Sequence, residues 1–158
     1  MKIIFPLLIL LNAGITSCSH KSNTNNNKIT GDYLIIGQAC GAVFLTKTTV
    51  TYYLISNNQL SEDTTVSVYA PPATISKFNF NIVMPASKYD SVKYLLYSIP
   101  TELLNPNNPA FGNYSPHACY TDIRTSINGV AYEWHFFEDY GAGSSAFHQF
   151  MDSIRLYF

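Results

Sequence analysis

The chain has 158 residues, and its nine basic and ten acidic side chains give a formal net charge of −1 at pH 7. This length suits one domain preceded by a leader. The charge is nearly neutral, and the sequence has neither a basic patch that would indicate nucleic acid nor an acidic tail that would indicate a basic partner. Aromatic residues make up 15% of the chain and can fill a single packed core.

Residues 1–17 have the form of an export signal peptide. Lys2 supplies a basic start, and the apolar run over 3–11 is shorter than the about 20 residues that a membrane-spanning helix needs. The tetrad Ile15-Thr16-Ser17-Cys18 resembles the lipobox of bacterial lipoproteins, an aliphatic residue and two small ones before a cysteine. That resemblance implies cleavage before Cys18 and its modification by lipid, including palmitate. The alternative is an ordinary secretory signal with an unrelated cysteine.

Residues 18–30 are predicted to form a disordered polar tether, because the segment over 22–27 has no apolar side chain to bury. Ser19, rather than aspartate, follows the cysteine, which resembles lipoproteins that are sorted to the outer membrane. This resemblance implies a lipid anchor on the periplasmic face of that membrane. Residues 31–158 are then expected to form one domain.

The first half of this domain has strand-like patterns. Residues 34–37, 40–56 and 64–69 are apolar or rich in β-branched and aromatic side chains, and Asn57-Asn58 suits a turn. Residues 75–84 alternate between apolar and polar side chains, which predicts a further strand.

The second half is predicted to contain a helix, a hairpin and a second helix. Ser87 is expected to cap a helix over 88–98 that ends before Pro100. Asn128-Gly129 lies between two β-rich runs and predicts a hairpin, because both residues tolerate a positive φ. Ser144 or Ser145 is expected to cap the last helix. The predicted fold is α+β, a mostly antiparallel sheet with both amphipathic helices packed on one face.

Two cysteines remain in the domain, Cys40 and Cys119. Export would place them in an oxidising compartment, where pairing is the usual state, so a disulfide is predicted. Two separate buried thiols are the alternative.

Several residues are candidates for metal binding or catalysis. His117, Cys119 and His135 could bind zinc, but one His-x-Cys pair lacks the paired spacing of most zinc sites, and a disulfide would use the thiol. A thiol nucleophile with a histidine base lacks a locally placed base. Glu133 and His135 share a strand face, which the pattern favours as a solvated surface over an acid–base pair. No metal or cofactor is therefore predicted.

A second resemblance covers residues 36–158. The segment opens with Gly37-x-x-Cys40-Gly41 and continues with strands and a helix that ends at a proline. A Cys-bearing loop, a hairpin with Trp134 and a closing helix follow. This arrangement resembles small uncharacterised lipoproteins of Gram-negative bacteria. That class implies no activity, so no functional residue is transferred.

These observations favour a non-enzymatic binding module that a lipid holds at the cell envelope. Its expected partners are the membrane and an envelope protein or glycan. The alternative is a small periplasmic hydrolase or inhibitor domain that uses the segment from His117 to Asp122.

Overall fold

The protein folds around one antiparallel sheet. A computed structural model describes residues 29, 31–40, 48–56, 58–107, 118–136 and 143–158. The strands are β1 (Tyr33–Cys40), β2 (Thr49–Ser56), β3 (Gln59–Ser67), β4 (Ile82–Val83), β5 (Cys119–Ile127) and β6 (Val130–Phe136). Their order across the sheet is β4-β3-β2-β1-β5-β6, and every neighbouring pair is antiparallel. The predicted α+β class is confirmed.

The helices are α1 (Ala86–Val92), α2 (Tyr94–Tyr97) and α3 (Ser145–Tyr157). Only Lys93 separates α1 from α2, so these two form one bent helix. The predicted Ser87 cap is wrong. The Pro85 carbonyl already accepts hydrogen bonds from the backbone N–H groups of residues 88 and 89, so the helix begins earlier and Ser87 lies inside its first turn.

The cap of α3 is confirmed. The Ser144 hydroxyl accepts a hydrogen bond from the Phe147 backbone N–H at 3.2 Å, which satisfies one of the free donors at the helix start. The buried face of this helix then carries Phe147, Phe150, Met151 and Ile154.

Both helical segments pack on one face of the sheet, as predicted. Leu95 of α2 and Phe147 of α3 are buried in the same apolar cluster as Ile36 of β1 and Ile123 of β5. Trp134 belongs to this cluster, and its indole Nε1 donates to the Leu103 carbonyl at 2.9 Å. The indole therefore fills the core without leaving a buried donor unsatisfied.

The opposite face of the sheet is covered by the segment over residues 70–81. The predicted strand over 75–84 is wrong, because Ile75–Lys77 forms a 3₁₀ turn and only Ile82–Val83 joins the sheet. The buried Asp63 carboxylate accepts from the Asn79 backbone N–H at 2.6 Å, and the Phe78 and Phe80 rings stack 5.2 Å apart. These contacts turn the apolar side chains of the segment towards the sheet.

Two local predictions around β5 are confirmed. Asn128 and Gly129 have φ values of 52° and 79°, as the tight turn between β5 and β6 requires. Cys40 of β1 lies directly opposite Cys119 of β5, and their sulfur atoms are bonded at 2.06 Å. This bridge joins residues separated by 79 positions and ties the first strand to the second half of the chain.

Candidate functional site

A cluster of charged side chains lies on the sheet face that residues 70–81 cover. The hairpin register places Asp122 opposite His135 and Arg124 opposite Glu133. Because side chains alternate along a strand, these four residues project from the same face. Tyr52 of β2 reaches the cluster from the other side of β1.

Asp122 is the centre of this cluster and is completely buried. Its Oδ2 atom accepts from the Tyr52 hydroxyl at 2.9 Å and from Arg124 Nη2 at 2.8 Å. Burial and the adjacent carboxylate raise the pKa of Tyr52 far above its usual value, so the hydroxyl stays protonated and serves as a donor. The carboxylate is therefore held as a paired, hydrogen-bonded charge.

Arg124 is buried as well, and its guanidinium is contacted on several sides. Nη1 donates to the Pro72 carbonyl at 2.5 Å, Nη2 lies 3.3 Å from Glu133 Oε1, and the Phe78 ring lies 5.3 Å from the guanidinium carbon. Burial alone would lower the pKa of Arg124, but the hydrogen bonds and charge of Asp122, together with the charge of Glu133, outweigh it and raise the pKa. The guanidinium thus joins the sheet to the covering segment.

His135 lies between the two carboxylates of the cluster. Its Nδ1 atom is 3.7 Å from Asp122 Oδ1, and its Nε2 atom is 3.5 Å from Glu133 Oε1. The edge of its ring meets the Tyr120 ring, with the centroids 4.8 Å apart. The side chains of His135 and Glu133 are 30% and 46% exposed, so the cluster is accessible to solvent from β6.

A shallow cavity of about 300 Å³ adjoins the cluster, and Arg124 and Glu133 form part of its lining. Tyr33, Ile75 and Tyr132 supply apolar and aromatic surface around them. A small ligand or hydrated ion in this cavity would meet one partly exposed carboxylate beside a guanidinium that already has partners.

Gly37 of β1 makes the contact between Tyr52 and Asp122 possible. It lies opposite Asp122 in the sheet, and a Cβ atom built on it would come within 2.4 Å of the Tyr52 ring. The missing side chain therefore leaves the space in which the ring crosses β1 towards the carboxylate.

The predicted site residues have separate outcomes. Cys18 and His117 lie outside the described residues, as do residues 1–17 and most of the predicted tether. Cys119 is bonded to Cys40 and so has no thiolate to offer a metal, which removes it from the predicted ligand set. Asp122 lies in β5, and of the two predicted metal ligands that the structure describes, Cys119 and His135, the latter belongs to the cluster.

The interpretation of the Glu133 and His135 face as a solvated surface is correct only in part. Glu133 is exposed, but the neighbouring side chains of β5 on this face, Asp122 and Arg124, are buried, and Arg124 contacts Pro72 and Phe78 of the covering segment. Arg124 and Tyr52 of the cluster were not predicted from the sequence. The hairpin register was the available signal for Arg124, because it pairs this residue with Glu133.

The sequence and the structure were compared with those of known proteins. No protein-family model, curated protein sequence or solved structure matches this chain. Within the ranges that the structure describes, no helix is both long and apolar enough to cross a membrane.

Proposed function

We propose that the protein is a lipoprotein of the bacterial cell envelope, anchored through Cys18, whose domain acts as a binding module. The observation that carries this proposal is the bond between Cys40 and Cys119. Disulfides persist in exported proteins and are rare in the reducing cytosol. The disulfide therefore supports export, which is the fate that the signal-like residues 1–17 and the lipobox-like tetrad predict.

The exposed surface of the helices supports a binding role. Tyr97 and Leu156 are 78% and 77% exposed, and the rings of Tyr94 and Tyr157 meet edge to face at 6.4 Å. We call these four residues of α2 and α3 the aromatic helix surface. Strand propensity explains tyrosines in the sheet but not these, which lie on helices. Exposed tyrosine is enriched where proteins recognise partners.

The anchor predicts a clear effect of changing Cys18. The Cys18→Ser variant is expected to lose incorporation of labelled palmitate and to leave the outer-membrane fraction, because the modified thiol is gone. Ser19→Ala is the matched control and should keep both the label and the location. The Ser19→Asp variant should keep the label but move to the inner-membrane fraction, because the sorting resemblance depends on the residue after the cysteine. Unchanged palmitate labelling of Cys18→Ser would reject the anchor.

The binding role predicts contact with an envelope component at the aromatic helix surface. A photo-crosslinking amino acid at position 97 is expected to give a discrete adduct in living cells. Position 130 is the matched control, because Val130 is also exposed but lies at the hairpin turn. Adducts of the same size and yield at positions 97 and 130, or no adduct at position 97, would contradict a partner at this surface.

A further inference from the structure

We infer that Asp122, Glu133 and His135 form a binding site for a divalent transition-metal ion of the zinc class. One ligand atom from each residue can be chosen so that all three lie within 4.8 Å of one another. Asp122 Oδ1 and His135 Nδ1 are 3.7 Å apart. Two ligands of a tetrahedral zinc ion, each about 2.0–2.2 Å from the metal, lie roughly 3.3–3.6 Å apart. Asp122 Oδ1 and His135 Nδ1 are therefore close to ligand spacing, whereas Glu133, whose 3.5 Å contact is with Nε2, has to turn towards Nδ1 to complete the set.

The hydrogen bonds of Asp122 leave one of its oxygen atoms directed at this site. Tyr52 and Arg124 Nη2 make their short bonds to Oδ2. Oδ1 faces the imidazole, and Arg124 Nε lies 3.3 Å from Oδ1 but closer, at 3.1 Å, to Oδ2. Outer-shell donors of this kind orient a metal-binding carboxylate. The buried network thus positions Oδ1 as a ligand atom.

Glu133 and His135 leave the proposed metal site accessible to solvent. Asp122 is fixed and buried, whereas the Glu133 and His135 side chains are partly exposed on the outer strand β6. Glu133 can therefore leave its 3.3 Å contact with Arg124 and turn towards a metal ion. Water from the solvent side can fill the fourth position, as in open zinc sites.

The donor set and the charges decide which ion is expected. One imidazole nitrogen and two carboxylates suit zinc and neighbouring transition metals, whereas calcium and magnesium prefer oxygen ligands alone. Two carboxylates beside one guanidinium leave a net charge of −1, which favours a cation. The guanidinium also repels a dication, so the affinity should be lower than that of a closed, cysteine-rich structural site.

Calorimetric titration of the full chain with Zn²⁺ tests this inference. The protein carries no polyhistidine tag, is first stripped with a chelator, and is kept in detergent if it fractionates with membranes. The wild type is expected to bind one equivalent, and His135→Ala or Glu133→Gln should weaken binding by more than about tenfold, since even outer-shell changes cost 10–100-fold. His148→Ala is the matched control, because His148 lies on α3 away from the cluster. Ca²⁺ should not compete.

Two results would overturn the site: wild-type protein that takes up no Zn²⁺, or uptake that His135→Ala and Glu133→Gln leave within twofold of His148→Ala. Fluorescence of Trp134, the only tryptophan, reports whether each metal-free variant is folded. Glu133 is exposed, so Glu133→Gln decides the question if His135→Ala fails to fold. The inference does not depend on the lipid anchor, and the titration can fail while the palmitate experiment succeeds.

Discussion

Replacement of both Cys40 and Cys119 by serine is expected to lower the free energy of unfolding by roughly 4–5 kcal/mol, the chain-entropy value for a loop of this length. The bridge joins residues 79 positions apart and therefore removes many conformations from the unfolded chain. It also fastens the ends of β1 and β5, which are neighbours in the sheet. Small domains have about 5–15 kcal/mol of stability in total, so this loss is a large share.

Denaturant titration followed by Trp134 fluorescence measures this loss, because the indole is buried in the helix-side core. Reduced wild-type protein is the matched control and should unfold at the same denaturant concentration as the Cys40→Ser/Cys119→Ser variant. The variant itself should not respond to reductant. Equal midpoints for the oxidised wild type and the variant would show that the bridge contributes nothing to stability.

The turn and the helix cap could be predicted from the sequence because interactions between residues close in sequence determine their backbone conformation. Asn128-Gly129 specifies its own turn, and Ser144 caps α3 at the start of a regular apolar stripe. The segment over 75–84 has an equally clear alternation but forms little strand. Its apolar side chains pack on the face of the sheet opposite the helices. The Asp63 carboxylate, 16 positions away in sequence, accepts from the Asn79 backbone N–H and so holds the segment in place. Periodicity shows that a segment buries one side, not which hydrogen bonds it makes.

The charged cluster was predictable in part. A two-residue turn pairs residues at equal distances on either side of it, so the hairpin alone places Asp122 opposite His135 and Arg124 opposite Glu133. Tyr52 was not predictable in this way. Its contact with Asp122 depends on the strand order and on the space above Gly37, and the two residues are 70 positions apart. Burial of the cluster depends on residues 70–81, whose path the sequence pattern did not predict.

The Asp122→Asn variant is expected to lose about 3–5 kcal/mol of stability, because it leaves the buried Arg124 charge without its main partner. Asparagine has nearly the same shape as aspartate, so the change removes a charge and leaves no cavity. The lost interaction is the 2.8 Å ion pair with Arg124 Nη2, whereas the amide oxygen of asparagine can still accept from the Tyr52 hydroxyl. Of the partners that Arg124 keeps, the Pro72 carbonyl has no charge and the exposed Glu133 carboxylate is more distant, at 3.3 Å.

The chain offers a matched control for this experiment. Lys93 and Asp90 form an ion pair at 2.7 Å, almost the same distance, but both side chains are largely exposed on the bent helix. Exposed pairs contribute little because solvent screens both charges, so Asp90→Asn should leave the stability almost unchanged. Both variants are compared in the presence of a chelator, so that any metal bound at the cluster does not contribute to the difference.

A double variant separates the charge from the hydrogen bonds. Asp122→Val combined with Arg124→Met removes the buried cation together with its partner, and such paired replacements are often neutral or stabilising. The double variant should therefore recover part of the stability that Asp122→Asn loses, but not all of it, because valine removes the acceptor of the Tyr52 hydroxyl. Equal losses for Asp122→Asn and Asp90→Asn would mean that burial does not strengthen the pair. A double variant less stable than Asp122→Asn would mean that the network stabilises the fold through its own bonds and not merely by neutralising Arg124.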